Sequence, residues 1–440
     1  MAGKRSVAWF GILLCACGHE SSSADGDGAG DTGIASASAS LDGDGGTAAS
    51  ADDGATAQSA SADEGGADAV PKFDLGSQPD ANFSCGGGGE GGGGAGGSPD
   101  FSYIWVANST QGTVSKINTE TLIEEGRYAV RSDSAGSPSR TSVNLNGDMA
   151  VANRLSGVTK IVARTEECND PTNTSSGAAD IKPWMDGCIA WFTPFEYASQ
   201  RPVAWTQGEF SDATCRYENT KLWTSGANAS IDVILIDGET GVVEQTVPIP
   251  GVAPNFYGIY GAAVDNEGNF WGSQLGLGSL VRVDIDDFAV SVWPMSQSGY
   301  GMTVDHEGRP WTCASAVARF DPASETWMSN ATVGASGGGC MVDADGVLWV
   351  GGYEPGTYAN VLLGVDAETL QPVQSIPIPN YAKGISIDFQ SNVWAVSYTA
   401  EAYRVNPATQ QIDTFVGLVG PYTYSDMTGF ALSAAGGPAG

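Results

Sequence analysis

The stretch VDHEGRPW, Val304–Trp311, decides how the chain is read. It holds one of only two histidines, the other being His19. A histidine beside a glutamate can act as a general base, and it can equally be one residue of a turn. Copies in the same chain separate these readings: VDNEGNFW at Val264–Trp271, VDADGVLW at Val342–Trp349 and IDFQSNVW at Ile387–Trp394. A weaker copy, VNLNGDM, runs from Val143 to Met149. The place of His306 is taken by Asn266, Ala344, Phe389 and Leu145. His306 thus occupies a variable place in a repeated tight turn, where Asp and Gly supply the backbone freedom. An exposed, structural histidine is expected.

Each turn joins two strands. The first is short and apolar, as in GMTV (Gly301–Val304) or GISI (Gly384–Ile387). The second carries the tryptophan, as in YIWVAN (Tyr103–Asn108), KLWTSG (Lys221–Gly226) or VWAVS (Val393–Ser397). A third run ends in Asp or Asn, as in VILID (Val233–Asp237), and a fourth is of the type VEQTVPI (Val243–Ile249). Alternating apolar and polar residues mark half-buried strands. The anchors Trp105, Met149, Trp223, Trp271, Trp311, Trp349 and Trp394 are spaced by 44, 74, 48, 40, 38 and 45 residues. Seven four-stranded repeats of this period predict an all-β, seven-bladed β-propeller of antiparallel blades over 101–440. The first repeat lacks an innermost strand, and TGFALS (Thr428–Ser433) is expected to supply it and close the ring.

These residues carry a resemblance. YIWVANSTQGTVSKINTETL (Tyr103–Leu122) resembles the YVTN β-propeller repeat. YGMTVDHEGRPW (Tyr300–Trp311) resembles the NHL repeat and the virginiamycin B lyase group of propellers. The resemblance implies the fold; function is set by the site. Lyases of that group use histidine and a magnesium-binding glutamate in loops at the ring's centre. Here neither histidine falls in a loop leading into a first strand.

The N-terminus MAGKRSVAWFGILLCAC has a basic start at Lys4 and Arg5 and an apolar run, Val7–Leu14, too short to span a bilayer. Leu14-Cys15-Ala16-Cys17 resembles the lipobox of bacterial lipoproteins. That resemblance makes 1–17 a signal peptide and Cys17 the lipid anchor. Residues 18–100 are mostly Ala, Gly, Ser and Asp, with 15 acidic residues and one basic, Lys72. Such a composition cannot bury enough apolar surface to offset chain entropy, so a disordered acidic linker is expected. The domain that follows has 36 acidic and 16 basic residues, which argues against a nucleic-acid partner. Membrane attachment at a bacterial envelope is expected. Gly18, rather than an aspartate, follows the anchor and favours the outer membrane.

An exported chain can form disulfides. Cys168–Cys188 is expected to staple the insertion TEECNDPTNTSSGAADIKPWMDGCIAWF in the 74-residue interval, and Cys313–Cys340 to bridge neighbouring blades. No CxxC and no histidine partner is present, so zinc is not expected, and no other metal or cofactor is expected either.

Aligned first strands place Ser139, Tyr260, Tyr300, Gly338, Lys383 and Thr428 in one column. The next column holds Arg140 among glycines, and Arg201 has the matching place in the third blade. Arg140, Arg201 and Lys383 would ring the channel mouth, with Tyr260, Tyr300, Tyr381, Tyr422 and Tyr424 as aromatic walls. That set suits an anionic or sugar-like ligand. The competing reading is that Tyr-Gly is packing consensus between blades. The expectation is a lipid-anchored envelope propeller acting as a non-catalytic binding or interaction module for a saccharide, an anionic small molecule or an envelope protein. The alternative is a metal-assisted lyase or hydrolase with a site at the channel.

Overall fold

The computed structural model describes residues 101–211 and 213–435; the expected signal peptide, Cys17 and the linker lie outside the described residues. Seven antiparallel blades form a propeller ring. Blades 2 to 7 begin at the inner strands Pro138–Val143, Ser199–Trp205, Ile259–Val264, Gly301–Val304, Ala335–Val342 and Ala382–Ile387. Each inner strand except that of blade 3 is followed directly by its three blade-mates in chain order; in blade 3 a hairpin, Glu209–Ser211 with Arg216–Glu218, interrupts. Blade 1 consists of Tyr103–Asn108, Thr113–Asn118 and Glu124–Ala129, closed by a segment from the other end of the chain.

The repeated turn does more than reverse the chain. Asp305 Oδ1 accepts the amides of Glu307 and Arg309, each at 3.0 Å, and Oδ2 accepts the Trp311 indole N–H at 2.9 Å. The same indole bond recurs at Asp265–Trp271 (2.8 Å), Asp343–Trp349 (2.7 Å) and Asp388–Trp394 (2.9 Å). Each carboxylate thus spans the turn and pins a ring that is buried against the neighbouring blade. A buried indole N–H needs an acceptor, and a charged one is the stronger. Asn144 makes the turn bonds in blade 2, where Met149 has no indole to present. His306 is a turn residue, as expected, but its side chain is only partly exposed, at 33%, beside Glu307 at 3.9 Å.

Ring closure differs from expectation. Pro421–Met427, not Thr428–Ser433, lies along Tyr103–Asn108: Tyr422 donates to Ala107 O (3.0 Å), Trp105 donates to Met427 O (2.9 Å), and Pro421 bridges Asn108. Gly429, at φ +85°, turns the chain out of the strand direction, and Phe430–Ala435 forms a short helix. Asp426 holds that turn, accepting the amides of Gly429 (2.8 Å) and Leu432 (3.2 Å). Leu432 then plugs one end of the channel, next to a cavity of about 30 Å³, room for one water.

Both expected disulfides are present, Cys168–Cys188 and Cys313–Cys340. Cys215 is disulfide-bonded as well. The insertion is shorter than its sequence suggested, because Ile189–Thr193 is the outer strand of blade 2. The second bridge ties the second strand of blade 5 to the inner strand of blade 6. The bridges close sequence separations of 20 and 27 residues. Loops of that size constrain the unfolded chain by about 3 kcal/mol each. Replacing either pair by serine is expected to lower the unfolding free energy by about that amount, read from urea unfolding as a lower midpoint with a steeper slope, because the freed unfolded chain exposes more surface. No helix among the described residues is long and apolar enough to cross a membrane.

Candidate functional site

Strand direction alternates in each blade, so loops entering the inner strands share a face with loops joining second to third strands. On that face the channel is filled by aromatic rings and cations. The inner strands approach each other too closely for side chains on the glycine column: a Cβ on Gly301 would lie 2.3 Å from Gly338 O, and one on Gly384 2.4 Å from Thr423 O. The glycines are therefore packing residues, as the competing reading held. Their lack of side chains also leaves room for the long ones. A Cβ on Gly339 would meet Tyr424 Cβ at 3.0 Å.

Arg140, the exception in that column, reaches between two rings. Its guanidinium carbon lies 3.2 Å from the Tyr424 centroid and 4.4 Å from that of Tyr260. Arg201 lies over Tyr257 (4.2 Å) and Tyr260 (4.9 Å), and Lys383 Nζ over Tyr300 (3.3 Å). Lys383 also donates to Gly337 O at 2.6 Å, and Arg201 Nε to Ser199 Oγ at 3.3 Å. All three cations are buried, Arg140 to 1% exposure. Among the described residues, none of the three Arg140 nitrogens has a hydrogen-bond partner, and neither has the Tyr424 hydroxyl.

Tyr260, Tyr300 and Tyr422 meet at their hydroxyls. Tyr260 Oη donates to Tyr300 Oη at 3.1 Å and lies 2.8 Å from Tyr422 Oη; the Tyr300 and Tyr422 hydroxyls share a short bond. A row of nearly parallel rings, Tyr353, Tyr381, Tyr398 and Tyr422, runs outward with centroids 5.8–5.9 Å apart. Its Tyr353 and Tyr398 reach the surface.

The electrostatics follow from burial. Desolvation, with repulsion from Arg201, pushes the Arg140 guanidinium down to about 10. Burial raises Tyr300 strongly and Tyr422 to about 12. Tyr260 is also opposed by burial, but Arg140, the hydroxyls of Tyr300 and Tyr422, and Arg201 outweigh it and leave this phenol below its ordinary value.

Of the residues expected from sequence, Arg140, Arg201, Tyr260, Tyr300, Lys383, Tyr422 and Tyr424 are brought together, with Tyr381 in the adjoining row. Thr428 is not part of the set; it bonds Ser386 Oγ at 3.0 Å beyond the closing segment. Tyr257, Arg154, Tyr353 and Tyr398 were missed. The last three stand at or just after the ends of second strands, a position the alignment of first strands did not sample. Among the described residues no group of three or more His, Cys, Asp or Glu is gathered as a metal ion would require. The arrangement offers buried cations, phenolic hydroxyls and ring faces, the chemistry for holding an anion.

No family model and no curated protein matches the chain. Several solved structures are similar to it at low identity. Virginiamycin B lyase from Staphylococcus aureus is 14% identical with a TM-score of 0.47, over 65% of this chain and 87% of that one. Hydrazine synthase from Kuenenia stuttgartiensis is 12% identical with a TM-score of 0.47, over 73% and 94%. A WD40 domain from Neurospora crassa is 9% identical with a TM-score of 0.44, over 66% and 80%. The chain's own sheets, seven antiparallel blades in a ring, make it a seven-bladed β-propeller.

Proposed function

We propose that this propeller is a non-catalytic binding module that takes a small anionic ligand, acidic saccharides included, at the tyrosine-lined end of its channel. In this reading the N-terminal region, with Cys17 lipidated and residues 18–100 as a tether, holds it at a bacterial envelope. One observation supports the site above all others: the Arg140 guanidinium is buried with every nitrogen lacking an acceptor among the described residues. Buried polar groups are almost always paired, and an unpaired one points to a missing partner. For a guanidinium beside further cations, that partner is an anion. Among the described residues, no ion pair joins Arg140 or Arg201 to a carboxylate.

The test is thermal unfolding of the protein with sulfate, phosphate, citrate and galacturonate at constant ionic strength. Specific binding to the folded state raises the midpoint logarithmically with ligand concentration, by about 2.7 kcal/mol of stability at a hundred times the dissociation constant. The rise is expected for at least one anion and is expected to vanish in Arg140→Met. Equal midpoints with all four anions and with chloride would remove the reading.

A further inference from the structure

We infer that the hydroxyl cluster of Tyr260, Tyr300 and Tyr422 gives up one proton more readily than an ordinary tyrosine, and that the shared phenolate charge is the internal counter-ion of the buried cations. The inference stands on the cluster itself and needs no ligand. Three hydroxyls in mutual contact can form a closed ring of hydrogen bonds with all three protons in place. The cations tip that balance, because each ring of the cluster carries one on its face. Arg140 and Arg201 lie over Tyr260, Lys383 over Tyr300, and Arg154 over Tyr422 at 4.9 Å. Tyr257, Tyr398 and Tyr424, all phenols, pack against the cluster. None of Arg140, Arg154 and Arg201 is paired with a carboxylate among the described residues.

A phenolate shares its charge with its ring, so ionisation strengthens each cation–ring contact at once. The remaining two hydroxyls then donate into the cluster rather than around it. Tyr422 is the oxygen within reach of both other hydroxyls as donors, and Tyr260 lies under two guanidinium groups. The charge therefore belongs to the cluster and not to one residue. Burial opposes ionisation at all three rings, and the two guanidinium groups over Tyr260, with the neighbouring hydroxyls, outweigh it there. The released proton goes to solvent. Ionisation supplies Arg140 with charge but with no acceptor for its N–H groups, so an anion still has a place beside it.

The sign of the pH response follows. Above the ionisation step the site is one charge less positive. If the site binds anions as proposed above, affinity for them falls as pH rises through the step, by at most about tenfold per pH unit for one linked proton.

The experiment is a spectrophotometric titration of the full chain from neutral to strongly alkaline pH, read in the near-ultraviolet tyrosinate band. One equivalent of the 14 tyrosines is expected to ionise in a separate step ahead of the exposed ones. That step is expected to be lost in Tyr260→Phe and in Tyr422→Phe, and to move upward in Arg140→Met. No early step, or an early step unchanged in all three variants, would overturn the inference. Should the phenylalanine variants fail to fold, the Arg140→Met arm decides alone. Sulfate titration of the same samples separates the two readings. An early step without a sulfate effect leaves the phenolate standing and removes the anion site, and a sulfate effect without an early step does the reverse.

Discussion

Arg140→Met is expected to make the protein more stable, by about 1 to 3 kcal/mol, while removing its response to anions. The direction is unusual for a fully buried side chain, since most core substitutions destabilise. It follows from the opposing terms. Burial holds the guanidinium pKa at about 10 instead of 12.5, so the charged form is disfavoured in the fold. That shift corresponds to roughly 3 kcal/mol at neutral pH. The sign runs against the usual basic group: a folded pKa depressed below the unfolded one is a penalty at every pH below both, relieved only as the fold deprotonates above about 10. Contacts with Tyr260 and Tyr424 offset part of it, by up to about 2 kcal/mol for a desolvated cation–ring pair. Methionine keeps apolar contact with both rings and needs no acceptor. Stability given up at a site is a signature of function rather than of packing. Urea unfolding measures the change. A loss of stability of 2 kcal/mol or more in the variant would mean that the guanidinium is structural, and would leave the anion site without its main support.

How much of this was legible without coordinates differs by feature. The blades were legible because a turn that needs Asp and Gly, followed by a buried tryptophan, repeats at nearly constant spacing. The indole bond from Asp305 to Trp311 and its copies lay in that spacing too, six residues apart, but a turn explains Asp by itself and the second role stayed hidden. Arg140 was legible because it breaks a column of glycines, and coordinates place it in the channel as that break suggested. Arg154, Tyr353 and Tyr398 were not legible, because no repeat marks the ends of the second strands. The packing that joins Tyr398 of blade 7 to Tyr422 of the closing segment is a property of the closed ring. The closing strand was misplaced for a physical reason. TGFALS alternates like a strand, yet Gly429 and the Asp426 carboxylate direct it into a helix. PYTYSDM has few aliphatics because its side chains fill a polar channel, so it does not read as a strand at all.

That misplacement sets up the second large effect. Ending the chain after Met427 and ending it after Gly420 are expected to have different outcomes, although both remove the helix. The first truncation deletes Leu432 and Ala435, both buried, and frees Asp426 to face water. Loss of one fully buried leucine and a smaller neighbour amounts to about 3 kcal/mol, so a shortened protein that still unfolds cooperatively at a lower temperature is expected. The second truncation also removes Met427, which is fully buried among Ile104, Val106, Trp394 and Val396. It removes the backbone bonds to Trp105 and Ala107 and the bond from Thr141 N to Ser425 Oγ (3.0 Å). Blades 1 and 7 are then no longer joined through the inner strand, and Tyr103–Asn108 becomes an open edge. Buried contacts worth more than about 5 kcal/mol disappear together, which is comparable to the whole stability of a typical domain. Aggregation through the exposed edge is the expected outcome. Circular dichroism melting and size-exclusion chromatography of the two truncated proteins make the comparison. A cooperative, monomeric chain ending at Gly420 would show that the ring does not depend on Pro421–Met427. If the chain ending at Met427 fails as completely as the shorter one, the helix and not the strand segment holds the ring shut.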